Sequence, residues 1–304
     1  KHFWAKFGSC TLRLGLILTL AAQAVEGRKA RWITLAVLLL FSGWDALAML
    51  LSVGDWQIGG WDHIETWNSG AQYSATLTLA FWVPNHALAG WTCATLFLLW
   101  RQGKLAIGPF AASLPLVALW SPFAIMGAVP FALFAGLTVL IRRAFTRWDV
   151  ALAALALLIA LPALGYEQLD AMAVGMGPRH VPAIIFLGIL CFEVIPLILP
   201  PLRAASTSAA ERHVLWLILA CLLLMPFWQI GIGSDFQMRA SIMPLALLAV
   251  AFAAMLTRSW EQSPRPLGLL AFACLSLAIG AVTPGLELRR ALSTPPSPAP
   301  LCSV

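Results

Sequence analysis

The chain has 304 residues, of which 61% are hydrophobic and 11% charged, with a formal net charge of +6. A soluble domain carries about 25% charged residues, and the apolar excess here falls in runs of about 17 to 24 residues, the length that crosses a bilayer's hydrocarbon core. This excludes a soluble globular domain, and it excludes a β-barrel, which would show short alternating segments; the Lys and Arg residues lie mostly in short loops, where they set topology rather than grip nucleic acid.

Taken in order, the chain opens on Lys1 rather than Met, which we read as the mark of a missing first segment. "LGLILTLAAQA" follows Lys6 and Arg13 and has the form of a secretory signal, but the basic "GRKAR" directly after it argues for a span. Apolar runs then predict ten spans, at 9–25, 32–53, 76–99, 105–120, 123–141, 149–165, 181–200, 213–230, 240–257 and 267–283. The stretch from Leu105 to Ile141 would make a helix of about 55 Å, too long for one crossing. Pro122 in "WSPF" supplies the break, because it cannot continue a helical ladder and restricts its neighbour. The fold expected is all-α, a polytopic transmembrane helical bundle over residues 1–285. The Pro/Ser-rich 286–304 forms a disordered tail.

Sorting basic residues by alternate loops gives twelve on one side: Arg28, Lys29, Arg31, Arg101, Lys104, Arg142, Arg143, Arg147, Arg203, Arg212, Arg258 and Arg265. The opposite inter-helix loops carry only Arg179 and Arg239. The richer side is cytoplasmic by the positive-inside rule, and Trp32, Trp100, Trp148 and Trp260 beside it suit interfacial anchors. Lys1, Lys6, Arg13, Arg289 and Arg290 fall on the outer side against this trend. Of the six cysteines, Cys10, Cys93, Cys191, Cys221 and Cys274 lie in apolar runs without metal-like spacing and read as small buried hydrophobes.

The outer loops are poor in Lys and Arg yet rich in other polar groups. The longest, Gly54 to Ala75, interleaves Asp55, Asp62, His63, Glu65, Asn68, Gln72 and Tyr73 with Trp56, Trp61 and Trp67. Indole faces pack on pyranose rings and carboxylates accept from hydroxyls, so the loop reads as a sugar-binding lip or as an ordinary interfacial loop. No metal site is assigned. "DHIE" nonetheless offers Asp62, His63 and Glu65 as donors to a divalent cation. In "FWVPNHALAGW", Pro84 interrupts a span and places Asn85 and His86 where freed carbonyls line a polar cavity or a kink. Asp45 and Glu193 sit inside spans, where a charge costs roughly 2.5–3.5 kcal/mol and demands a partner or a proton. Each is a candidate coupling site or an inter-helix hydrogen bond.

"GSDFQMRAS" places Asp235 and Arg239 at i and i+4 where a span begins, on one helical face. Arg239 is suited to a bidentate grip on a lipid-linked phosphate, oriented by Asp235; the alternative is a surface ion pair. Arg179 and His180 close the neighbouring outer loop and extend the same reading.

"FSGWDALA", "HIETWNSGAQYSATLTLAFWVPNHALAGW", "SPFAIMGAVPF" and "SDFQMRASIMPL" resemble a family of uncharacterised bacterial polytopic membrane proteins, itself similar to the GT-C glycosyltransferases. The resemblance implies a multi-pass protein of the bacterial inner membrane. It would take a sugar from a polyprenyl-phosphate donor on the non-cytoplasmic face, with the lipid bilayer and that donor as partners. It places the catalytic acid in a first outer loop ahead of Lys1, leaving Asp62, Glu65 and His63 as the candidates within the chain. It gives Arg239 the donor phosphate, with Asp235, Arg179, His180, Asn85, His86, Trp61 and Trp67 around the substrate. A membrane transporter or flippase for a polar or lipid-linked substrate is the alternative. It would work through Asp45, Glu193 and the broken helix at Pro84.

Overall fold

A computed structural model describes residues 15, 19, 27–51, 63–68, 71–171, 175–231 and 233–293, without the side chains of 163 and 167–171. The helices are α1 (Arg28–Leu40), α2 (Asp45–Leu50), α3 (Thr76–Trp82), α4 (Pro84–Arg101), α5 (Ile107–Ala118), α6 (Pro122–Ile141) and α7 (Arg147–Ala171). After strand β1 (Met176–Pro178) come α8 (Ala183–Gly188), a π-helical turn (Ile189–Val194), α9 (Ile195–Arg203) and α10 (Ala209–Leu224). Strand β2 (Trp228–Ile230) leads to α11 (Asp235–Ala240), α12 (Ile242–Glu261), α13 (Leu267–Gly280) and α14 (Val282–Ser293).

Among the described residues, six stretches are long and apolar enough to cross a membrane: Arg28–Leu50, Pro122–Ile141, Ala183–Arg203, Ala209–Phe227, Ile242–Glu261 and Leu267–Ser293. The protein is thus all-helical and built as a multi-pass membrane protein. Helix α5 is apolar but has 12 residues, about 18 Å, short of a full crossing. The expected first span, 9–25, falls almost wholly outside the described residues. Helix α14 runs on to Ser293, past the boundary expected at residue 285, because its 283 and 287 positions find buried polar partners.

Helix α12 is the central pillar, with 83% of its apolar window buried against 33% for α6. Small residues let its neighbours come close. A Cβ on Gly90 would lie 2.3 Å from Ile242, and one on Gly127 would lie 1.8 Å from the Ala240 carbonyl. Such close backbone approach drives helix association in lipid, where the hydrophobic effect gives little. Outward faces stay apolar: Leu133, Leu137 and Ile141 on α6, and Leu155, Leu158 and Ile159 on α7, are all exposed.

The two ends of the bundle are fixed by contacts. At one end Glu211 binds Arg258 at 2.8 Å, Asp149 accepts from the Gly108 N–H, and Arg28 shares a cleft with Trp260. At the other, β1 pairs antiparallel with β2, stitching two loops together, and His63 meets Glu287. Of the basic residues sorted to one side by alternate loops, Arg28 and Arg258 meet Trp260 and Glu211 at the first of these ends.

Breaks occur where expected at proline and also where no proline stands. Pro122 opens α6 with Ser121 accepting from the Ala124 N–H at 3.2 Å, and Val83 separates α3 from Pro84. The break between α1 and α2, Phe41 to Trp44, has a different cause. Trp44 donates its N–H to the carbonyl of Phe192 at 2.7 Å, in the π-turn of the facing helix. Backbone groups in a bilayer must be satisfied within protein, and here two irregular segments satisfy each other. Gly43 makes this approach feasible, since a Cβ there would lie 2.0 Å from Glu193 Oε2.

Candidate functional site

The polar side chains at the β1–β2 end form two clusters. The first is buried. Residues 63–68 turn inward, so Ile64, Glu65, Trp67 and Asn68 are all buried. Trp67 Nε1 donates to Glu193 Oε1 at 2.6 Å, and Asn68 Oδ1 accepts from the Ala71 N–H at 2.9 Å. Glu65 Oε1 accepts from the Ala75 N–H (2.8 Å) and Thr78 Oγ1 (2.6 Å), placing a carboxylate on the N-terminus of α3, where the helix dipole favours it. Burial, reinforced by the charge of Asp45, pushes Glu65 up to about 7 in spite of these donors.

His63 is the partly open member, its side chain 26% exposed. Its Nδ1 lies 2.9 Å from Glu287 Oε1, and Gln72 Nε2 lies 3.3 Å from its Nε2. Glu287 also accepts from Trp82 Nε1 at 2.7 Å, and Arg290 sits 4.0 Å over the Trp82 ring. Burial alone would lower the His63 pKa; the bond to Glu287 and the charges of Glu65 and Glu287 outweigh it and raise the net value. Deeper in, Asp45 Oδ2 accepts from Ser42 Oγ (2.9 Å) and Thr283 Oγ1 (2.7 Å).

The second cluster lies nearer the rim. Arg239 donates to Asp235 Oδ2 at 3.0 Å and packs its guanidinium 5.7 Å from the Phe123 ring centroid. Its Nε is buried with no hydrogen-bond partner, and so is Nδ1 of His86, which lies close enough to feel the charges of Asp235 and Arg239. Three separate pieces of chain thus meet: the start of α4, the start of α6 and α11. Gln237 ties α11 to β2 through the Trp228 carbonyl at 2.7 Å, and Arg179 follows directly on β1, its N–H bonded to the Phe227 carbonyl. An arginine with an unmet buried donor, beside a histidine nitrogen in the same condition, is equipped to receive an anion.

The residues expected in the site distribute as follows. Arg239, Asp235 and His86 come together, and Arg179 belongs to the loop that rests on their helix. Asn85 and His180 are exposed. Trp67 is fully buried and bonded to Glu193, so it offers no indole face to a sugar in this arrangement. Trp61 and Asp62 lie outside the described residues. His63 and Glu65 bond to protein partners, and no group of three or more His, Cys, Asp or Glu side chains among the described residues is arranged to hold a metal. Sequence reasoning missed Thr283, Glu287 and Arg290. The signal was present: Ser276, Gly280, Thr283 and Glu287 follow a 4-3-4 spacing that places them on one helical face.

No protein-family model matches the chain, and no curated protein or solved structure is detectably similar to it.

Proposed function

We propose that the protein is an integral membrane glycosyltransferase-like enzyme, a GT-C-like bundle of ten crossings. Its β1–β2 end would face away from the cytosol of a bacterial inner membrane and take a polyprenyl-phosphate-linked sugar. One observation carries this reading: Arg239 is held by Asp235 on one side and keeps a buried, unpaired Nε beside the unpaired Nδ1 of His86. A phosphate monoanion or diester would accept from the Arg239 Nε–H, and from His86 Nδ1 in the tautomer that carries its proton there, and Arg179 on the adjoining loop would add a second guanidinium. The polyprenyl chain would lie along the apolar faces outside. Transfer needs a group to accept the acceptor hydroxyl's proton. Within this chain His63, oriented by Glu287 and partly open, has the right chemistry, with Glu65 beside it and Asp62 adjacent in sequence.

The test is transfer from a radiolabelled polyprenyl-phosphate sugar by the longest natural form of the protein in lipid nanodiscs. Arg239→Ala should cut donor affinity by roughly tenfold or more and abolish turnover, since a charge-assisted hydrogen bond contributes about 1.5–3 kcal/mol. Unaltered turnover would remove the phosphate-grip reading. One observation favours the transporter or flippase reading instead. Asp45 and Glu193 are buried together inside candidate spans rather than at the rim. Movement of a lipid-linked headgroup between leaflets with no bond broken would decide for it.

A further inference from the structure

A second feature lies deeper than the Arg239 cluster and does not depend on it. Asp45 opens α2 just after the break in the first span, and Glu193 lies in the π-turn between α8 and α9. Both are almost fully buried, 0% and 3% exposed. Their donors all fall on one side. Asp45 Oδ2 takes Ser42 and Thr283, and Glu193 Oε1 takes Trp67. The other two oxygens, Asp45 Oδ1 and Glu193 Oε2, are buried with no donor from the protein. The two carboxyl groups nonetheless stand within hydrogen-bonding reach of each other. Two acceptors in contact, each lacking a donor, make an arrangement that is satisfied by one hydrogen placed between them. Like-charged carboxylates at such range do not both ionise, which is the logic of a dyad sharing a proton.

The surroundings are unusual in the same way. A buried backbone break and a π-helical turn are each costly, and both recur at functional positions in helices. Here they face one another across the carboxyl pair, joined by the Trp44 to Phe192 hydrogen bond. Gly43 is bare on the side of Glu193, and Gly280 is bare on the side of the Ser42 carbonyl, which its Cβ would approach to 2.4 Å. One turn before Gly280 in α13, the buried hydroxyl of Ser276 has no partner either.

We infer that Asp45 and Glu193 form a proton-binding site that holds one proton between their carboxyl groups and exchanges it with the end of the bundle where His63 lies. The groups facing the pair from neighbouring elements are Glu65 and His63 on the inward loop, Tyr73 ahead of α3, and Glu287 on α14. Only His63 among these combines a titrating side chain with partial exposure and a bonded carboxylate. It is therefore the gate residue through which a proton enters from water. When the pair loses its proton, two buried negative charges adjoin, and the contact between α2 and the π-turn becomes the weak point of the bundle.

Infrared spectroscopy of the full chain in lipid bilayers tests this. At about pH 9, roughly two units above the value at which Glu65 titrates, an ordinary carboxyl is ionised, so a remaining protonated-carboxyl band marks the shared proton. The expected result is one such band, shifted in heavy water, lost in both Asp45→Asn and Glu193→Gln and retained in Glu65→Gln. Arg239→Ala should leave the band unchanged whatever it does to sugar transfer, so the two proposals fail separately. A wild type without the band overturns the site. So does a band surviving in both amide variants, or one that appears only when sodium is withdrawn, which would make the occupant a metal cation. Should either amide variant fail to assemble, the other variant and the wild type still decide the question.

Discussion

The two ends of this bundle use polar residues for different ends. At the basic end, polar side chains finish helices. Ser208 and Glu211 form a reciprocal capping box at the start of α10, and Glu211 also holds Arg258 at the end of α12. Asp149 takes the Thr146 and Gly108 N–H groups and fixes how α5 and α7 begin. Partners are close in sequence or simple in geometry, and most are partly open to water. At the opposite end Asp45, Glu65, Glu193 and Glu287 are all buried, each takes at least one partner from another element, and several buried atoms stay unpaired. Ordinary helix termination explains the first arrangement but accounts for only Glu65, on the start of α3, in the second. A buried charge that no cap or surface requires points to something the protein binds.

That contrast can be broken or sharpened by substitution. The largest effect belongs to Gly43→Ala. Its methyl group would collide with the Glu193 carboxyl and the helix behind it, so we expect a loss of about 3 kcal/mol or more, read as a sharp drop in folded protein recovered in detergent and in its thermal midpoint. A substitution that leaves both unchanged would mean the two helices are not held at this distance.

The second effect is a pH dependence confined to the buried end. Glu65 is raised from an ordinary 4.5 to about 7, so the folded protein holds a proton there that the unfolded chain has released. Its contribution to stability is full below about 4.5 and is lost as pH rises towards about 7. His63, also raised, acts in the same direction, its contribution fading as pH rises from its ordinary value through the folded one. Thermal midpoints should therefore fall across this window, and Glu65→Gln should flatten the profile. An equal slope in Glu65→Gln would assign the dependence elsewhere.

The smallest effect is at the basic end, where Glu211→Ala removes the capping box and an ion pair that is about a third exposed. A loss of about 1 kcal/mol is expected, with the proposed sugar transfer unaffected. Measured transfer falling along with stability would show that the two ends are coupled.

Much of this contrast was legible in the residue string. Apolar runs gave the helical, membrane-crossing class, because that follows from lipid as a solvent. Pro122 and Pro84 announced their breaks. The pairing of Asp235 with Arg239 followed from a spacing of four. The break at Phe41–Trp44 was not legible, since its cause is the Phe192 carbonyl, some 150 residues away in sequence. Nor was the burial of Ile64, Glu65 and Trp67. Acids and tryptophans in a loop look exposed until Glu193 and Glu287 are placed opposite them. The proline-rich ending drew attention away from Thr283 and Glu287, although their helical spacing with Ser276 was in plain view.

The hydrogen bond from the Trp44 N–H to the Phe192 carbonyl has a mechanical corollary. A regular helix can slide along its neighbour, trading one set of side-chain contacts for another. Here the main chains of the first span and of Ala183–Arg203 are latched together at their kinks. Any tilt of the outer half of one must drag the other or snap that latch. Strain at that joint would reach Asp45 and Glu193 first, since each lies one residue from an end of the bond.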